Sequence, residues 1–445
     1  MTDEVIGEST ELLRQLIRNA CVNDGTVGSG HETRSVDTLA AFLGDAGIDC
    51  RRYEPQPGRA SLVVRIEGRD RSAASLHLMG HTDVVPAQPA GWKHDPFGAE
   101  LIDGEIWGRG AIDMLCYTAT MAVALRRLAR SGFAPRGTLI YSAVADEEAL
   151  GTWGARWLVE NAWDDVKSEY LLTEVGGPRF SIARGGPKIP AAVMEKGSHW
   201  VRLRVRGTPG HGSMPYRADN AVVKAARLVE RIAAYRAPRR FAETWRRFVD
   251  ALELPAPLRA GLLNETLFDV ALPRLPVGLA RMFDAGTRTT FSPNLLHGGV
   301  KANVIPDEAE MTIDIRTMPG DGGPEVRAML RDAAGDLWPS IEIVEEGENA
   351  STESPVPTPL WQTLQRTTGA LVPGGRVVPY ILFGATDARF FRRKGVTAYG
   401  YALFSGRVAS DEFGSMYHGN NERVDQESLG LCVRLWEQTA RELLA

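Results

Sequence analysis

The sequence predicts an α/β protein: a mixed, mostly parallel sheet sandwiched by helices, with an α+β domain inserted into it. Three observations predict this. Up to about residue 195, short apolar runs alternate with amphipathic stretches, the rhythm of strands buried on both faces between helices. From 196 to about 350 the strands alternate apolar with charged residues instead, the mark of a sheet with one face in water. From 351 the first rhythm resumes and runs to the C-terminus. The expected domains are therefore 1–195 and 351–445, building one body, and an insertion at 196–350.

The elements follow in order. Residues 10–45 read as helix-rich, because ELLRQLIRNA and SVDTLAAFLGDAG space their apolar residues near 3.6 and glycines close the second. SLVVRIEG (61–68) and SLHLMG (75–80) read as strands, and TATMAVALRRLARSG (118–132) as a helix ended by Gly132. GTLIYSAVA (137–145) is a strand, WGARWLVEN (153–161) a helix and YLLTEV (170–175) a strand. In the insertion, HWVRLRVRG (199–207) and EMTIDIRT (310–317) are open-faced strands. NAVVKAARLVERIAAY and VRAMLRDAAGDL are helices, IEIVEEG is a strand, and a Pro/Arg-rich stretch to about 295 reads as irregular. PLWQTLQRTTGALV (359–372) restarts the α/β rhythm, and the last helix covers 425–445.

Composition excludes several classes. A chain of 445 residues, 44% apolar and 24% charged, builds a core without disulfide staples. A net charge of −5, with Lys and Arg spread along the chain, leaves no footprint for nucleic acid and no polybasic membrane patch. Cys21, Cys50, Cys116 and Cys432 form no CxxC pair, which argues against a thiolate zinc site. MTDEVIGEST lacks the cationic start and apolar run of a secretory signal, and no apolar run approaches the roughly 18 residues of a membrane span, so the cytoplasm is the expected compartment.

Polar residues at strand ends carry the functional reading, since ligands of open α/β sheets bind beyond the carboxyl ends of strands. The strand at 75–80 runs into His81-Thr82-Asp83, and the strand at 137–145 into Asp146-Glu147-Glu148. Glu174 closes a third strand, Asp113 precedes a helix, and His418 lies in MYHGNNERVD. Each has a bland reading: a hydrogen-bonded histidine, an N-cap, a solvated helix start. Together they read differently. Three adjacent carboxylates after an apolar strand repel one another and lose hydration, a cost that a nearby cation removes. Two His, one Asp and two Glu, without thiolate, suit two zinc, manganese or cobalt ions if Asp113 bridges them, and leave one carboxylate over as a base.

The motifs GHTDVVP, GRGAIDM, ADEEALG, GTPGHGSMP, KANVIP with IDIR, FGATDARFF and YHGNNERV resemble, in order, those of the dinuclear zinc amidohydrolases and peptidases. Aminoacylase-1, carboxypeptidase G, succinyl-diaminopimelate desuccinylase, acetylornithine deacetylase and the carnosine-type dipeptidases belong to that family. The resemblance implies a zinc-exopeptidase type of catalytic domain, in the parts 1–195 and 351–445, and a ferredoxin-like lid used for homodimerisation. It implies that His81 and Glu148 bind one ion, that Glu174 and His418 bind the second, and that Asp113 bridges them, with a cis peptide bond after it. Asp83 would orient His81 through its other ring nitrogen, and Glu147 would be the general base. His211 would reach the partner's site and polarise the scissile carbonyl. Asn303 and Arg316 would hold a substrate carboxylate, while Gly384, Thr386 and Asp387 would shape the pocket. Two features depart from the family: Leu115 stands where a Lys is frequent, and the segment 236–295 makes the lid long. The expected function is hydrolysis of an amide bond in an N-acyl amino acid or short peptide. The rival readings are a same-fold hydrolase of carbamoyl or ureido bonds and a non-catalytic, metal-stabilised binding protein. The latter predicts loss of the base or of a ligand, and neither is lost.

Overall fold

The computed structural model describes residues 3–180 and 185–445. Its large sheet runs, edge to edge, through Arg51–Gln56, Arg59–Ile66, Leu139–Val144, Leu76–His81, Tyr170–Thr173, Thr397–Gly400, Lys188–Glu195 and Thr352–Glu353, with Arg376–Leu382 also paired to Lys188–Glu195. The centre is parallel: Leu76–His81 lies parallel to both Leu139–Val144 and Tyr170–Thr173, which is parallel in turn to Thr397–Gly400. Antiparallel pairs flank it.

Strand alternation explains the two covered faces. Leu62, Val64, Leu78, Leu139 and Tyr141 point into one core, with the helices Asp3–Arg18, Leu115–Arg130, Pro359–Leu371 and Gln426–Leu443. Val63, Met79, Ile140 and Leu171 point into the other, against Ala155–Asn161 and Ala388–Arg392. Every residue of Leu76–His81 and of Leu139–Val144 is buried, which is why both read as continuous apolar runs.

A second, four-stranded antiparallel sheet has the order Thr290–Gly298, Glu308–Thr317, Gly197–Arg206, Ile341–Asn349. Val201, Leu203, Met311 and Ile313 face Leu228, Ile232, Val326 and Leu330 of the helices Ala221–Ala234 and Gly323–Ala334 in a core of their own. The opposite face carries Arg202, Arg204 and Arg206, paired with Glu345, Glu310 and Glu342 at 2.7–2.9 Å. The crossing point is sharp: Glu195 ends a large-sheet strand and Gly197 begins a small-sheet one. Between them Lys196 is buried, its Nζ donating to the carbonyls of Ala285 and Arg288 at 3.0 and 2.8 Å.

The stretch to residue 295 differs from the irregular segment expected. It forms the short helices Glu243–Ala251, Ala256–Leu262, Glu265–Ala271 and Val277–Ala285, then the edge strand Thr290–Gly298. Prolines at 255, 273 and 276 start or break these helices, so none is long enough to show a clear period. Their buried Trp245, Phe248, Phe268 and Phe283 join the core of the large sheet, Phe248 lying 6.1 Å from Tyr380 of Arg376–Leu382. This segment, expected within the lid, therefore packs on the large-sheet side of the crossing. Among the described residues, no helix is long and apolar enough to cross a membrane.

Candidate metal centre

The parallel strands deliver the polar residues to one place. His81 is the last residue of Leu76–His81, and Glu174 follows its neighbour Tyr170–Thr173. Glu147 and Glu148 sit on a single helical turn after Leu139–Val144, the neighbour on the other side. Asp113 precedes the helix Leu115–Arg130, which packs close over the strand end: a Cβ on Gly80 would come within 2.3 Å of Thr118 Oγ1. The Asp113–Met114 peptide bond is cis.

Two donor clusters result, and they share Asp113. His81, Asp113 and Glu174 form one, with His81 Nε2 3.4 Å from Asp113 and 3.7 Å from Glu174. Asp113, Glu148 and His418 form the other, with His418 Nε2 3.2 Å from each carboxylate. This corrects the expected pairing, in which His81 shared its ion with Glu148. Consecutive residues of a tight turn diverge by about 120°. Glu148 is thereby aimed at His418, and the direct strand neighbour Glu174 meets His81.

The role of Asp83 is corrected as well. His81 Nδ1 lies 2.9 Å from the backbone carbonyl of Asp83, against 3.6 Å from its carboxylate. The carboxylate accepts instead from the amides of Glu147 and Glu148 at 3.2 and 3.1 Å and from Asn23 Nδ2 at 2.8 Å. Asp83 thus fixes both His81 and the glutamate turn.

The donor set fits divalent cations. His81 Nε2 and Glu148 Oε1 are buried without a hydrogen-bond partner, which native interiors rarely tolerate. Burial, then Glu174, pushes the Glu147 carboxyl well up. Burial also raises Glu174, to about 8. Burial opposes protonation of His81, but Asp113 and Glu174 outweigh it and hold its pKa well above the ordinary value. Asp113, then Glu148, raises His418 to about 10. Crowded carboxylates pulling on two imidazoles need positive charge between them, and cations supply it. The backbone is strained around the donors: Asp146, Val175 and His418 all have φ between 55° and 68°, a region that β-branched Val175 enters only under constraint. We expect His81→Ala or His418→Ala to lower bound metal and activity together. Normal stoichiometry by elemental analysis in either variant would remove that residue from the ligand set.

Supporting residues escaped the sequence reading. Glu422 is fully buried and accepts four hydrogen bonds: from the amides of Gly110, Ile112 and Asp113 at 2.7–3.0 Å and from Arg109 at 2.8 Å. Arg109 also donates to the carbonyl of Gly419 at 2.9 Å. This pair ties the Asp113 loop to the His418 loop. Its only signal was an acidic residue four positions after His418, with nothing to mark it as buried. Glu422→Ala removes one partner of a buried pair, at a cost of about 3–5 kcal/mol. The gentler Glu422→Gln is expected to weaken metal binding about 10–100-fold, the usual cost of losing a ligand's support. Unchanged metal affinity in a folded Glu422→Gln protein would contradict this. Across the site, Asn23, Glu32 and Arg59 form a second buried brace. Arg59 donates to Glu32 at 2.7 Å, and Glu32 accepts from the amide of Asp146 at 3.2 Å.

The donors open into a cavity of about 620 Å³, within the usual range of small-molecule sites. Arg316, Ser198, Trp200 and Asn349 of the small sheet face it, as do Gly384 and Thr386. The Thr386 hydroxyl is committed to Glu195 at 2.5 Å, so it supports the wall. Asp387 lies buried beneath, neither carboxylate oxygen hydrogen-bonded. Burial raises it to about 7. His211 and Asn303 do not line the cavity. They meet on a two-stranded ribbon, where the amide of Gly212 donates to the Asn303 carbonyl at 2.8 Å, and both are exposed.

Known proteins resemble this chain in sequence and in fold. The chain is 29% identical over 387 residues to the N-fatty-acyl-amino acid synthase/hydrolase PM20D1 of Xenopus tropicalis, covering 86% of this chain and 75% of that protein. It is 27% identical over 362 residues to human aminoacylase-1, covering 80% and 78%. The metallo-carboxypeptidase Sso-CP2 of Sulfolobus solfataricus superposes with a TM-score of 0.72 at 16% identity, covering 99% of each chain, which shows the fold to be shared. The family model for Peptidase family M20/M25/M40 matches residues 77–442, a span that begins on the strand carrying His81 and ends beyond the loop carrying His418, and the chain is a metallopeptidase or amidohydrolase of that family.

Proposed function

We propose that the protein hydrolyses the amide bond of small carboxylate-bearing substrates, N-acyl amino acids or short peptides, with two divalent ions, zinc by preference over cobalt or manganese, and Glu147 as general base. One observation carries this reading. Two three-residue donor clusters share Asp113, Glu147 beside them belongs to neither, and Asp113, Glu147, Glu148, Glu174 and His418 line a cavity faced by Arg316. The names of PM20D1 and aminoacylase-1 support an acylated amino acid as substrate.

The residues divide the work. Bound at the two clusters, the ions would supply Lewis acidity that lowers the pKa of a water and polarises the scissile carbonyl. Glu147 takes the proton of that water and returns it to the leaving nitrogen. Arg316, whose Nε lies 2.9 Å from Asp314 and is oriented by it, pairs with the substrate carboxylate. His211 steadies the developing oxyanion from a second subunit. Support for that subunit comes from the exposed apolar residues Met214, Tyr216, Leu295 and Leu296 near the His211 ribbon and on the edge strand Thr290–Gly298, a surface suited to a two-fold partner. The four free cysteines suit a reducing compartment, in keeping with the cytoplasm.

The test is a panel of N-acyl amino acids, dipeptides and N-carbamoyl amino acids given to metal-loaded enzyme, with amino acid release as readout. Release from the first two classes is expected. Turnover of carbamoyl substrates alone would replace the proposal with the rival bond class.

A further inference from the structure

We infer that the cavity is built for a long apolar acyl chain, and that Met282 sets how far the chain can run. This rests on the amide-hydrolase reading and narrows its substrate. The cavity lining includes Val175, Pro178, Phe180, Met282, Tyr380 and Leu382. Among the described residues, the acids that line the cavity are Asp113, Glu147, Glu148 and Glu174, each a metal donor or the base. No lining carboxylate is left to receive the free ammonium of a dipeptide, and an unpaired ammonium against this wall loses its hydration. Of the lining cations, Arg389 is spent on the carbonyls of Thr386 and Leu150 at 2.6 and 2.9 Å. Arg316 is left for a substrate carboxylate. The shape therefore calls for a molecule with an anionic end, an amide at the metal centre and an uncharged apolar remainder.

Size points the same way. At roughly 30 Å³ per water-sized group, about 620 Å³ holds on the order of twenty non-hydrogen atoms, more than an acetylated amino acid possesses. A second small void of about 10 Å³ lies behind the wall, lined by Phe248, Phe283 and Phe383, and both spaces share Met282 and Tyr380. Met282 is thus a partition between them. It belongs to the helix Val277–Ala285, and its unbranched thioether adapts readily to a neighbouring chain.

The experiment measures kcat/KM for acetyl, hexanoyl, decanoyl and tetradecanoyl derivatives of one amino acid. The wild-type value is expected to rise about fourfold for each methylene buried, the equivalent of about 0.8 kcal/mol, and then to level off. Met282→Trp, which fills the partition, is expected to lower the tetradecanoyl-to-acetyl ratio by about tenfold or more, and Met282→Ala to move the plateau to longer chains. An active enzyme that favours acetyl derivatives or dipeptides, or ratios that ignore Met282, would overturn the inference and leave the hydrolase reading standing. If nothing on the panel is hydrolysed, the hydrolase reading fails, and calorimetric binding of decanoate decides the acyl site. Binding weakened by Met282→Trp upholds it, and no binding to the wild type overturns it.

Discussion

Glu147→Gln is expected to keep the fold and both metal ions while losing about 10²–10⁴-fold or more in kcat, the range that positioned proton transfer contributes. The position should survive the change, since the Glu147 amide is held by Asp83 at 3.2 Å and the side chain belongs to neither donor cluster. Stability should not fall. The Glu147 carboxyl titrates well above its ordinary value because it is buried beside Glu174. A group whose pKa is raised by folding costs stability as pH rises above its unfolded value, and an amide removes that cost at neutral pH. The metal-free variant should therefore melt no lower than the parent, a separation of stability from activity common at catalytic sites. Retention of more than a few per cent of activity would remove Glu147 as the base.

His211→Ala is expected to bind metal normally and turn over far more slowly, by about 10²–10³-fold if it supplies one oxyanion donor. His211 is exposed on its ribbon, its Nδ1 held 2.7 Å from Ser213 Oγ, and it does not line its own chain's cavity. If a second chain brings it to the site, two inactive variants can complement each other. Co-expression with an inactive Glu147→Ala chain should therefore restore activity in the purified heterodimer. One of its two composite sites contains both wild-type residues, so recovery should reach about half of the wild-type value. Absence of recovery, with subunit exchange confirmed, would show that His211 acts within its own chain or has no role.

Much of this was legible from residue order, for physical reasons. Buried parallel strands read as apolar runs, so LHLMGH and LIYSAV announced both themselves and the polar residues at their ends. The alternation in HWVRLRVRG and EMTIDIRT revealed a sheet with one wet face, and its charged side is indeed a ladder of ion pairs. Ligand pairing was not legible. Which glutamate meets His81 depends on which strand lies beside it and on the aim of a single turn, and neither is written in local spacing. The helices between 243 and 285 were hidden because their burial against Tyr380 is tertiary. Glu422, Glu32 and Asn23 were hidden because a buried brace looks, in sequence, like any polar surface residue.

Asp113 is expected to join two metal sites beside Glu147. Titrating metal-free enzyme with zinc, cobalt or manganese, while following bound metal and hydrolysis of an N-acyl amino acid together, tests it most directly. Two ions bound per chain, and hydrolysis that completes with the second, are expected. A chain that saturates at one ion with full activity, or that hydrolyses the amide with none, would contradict it.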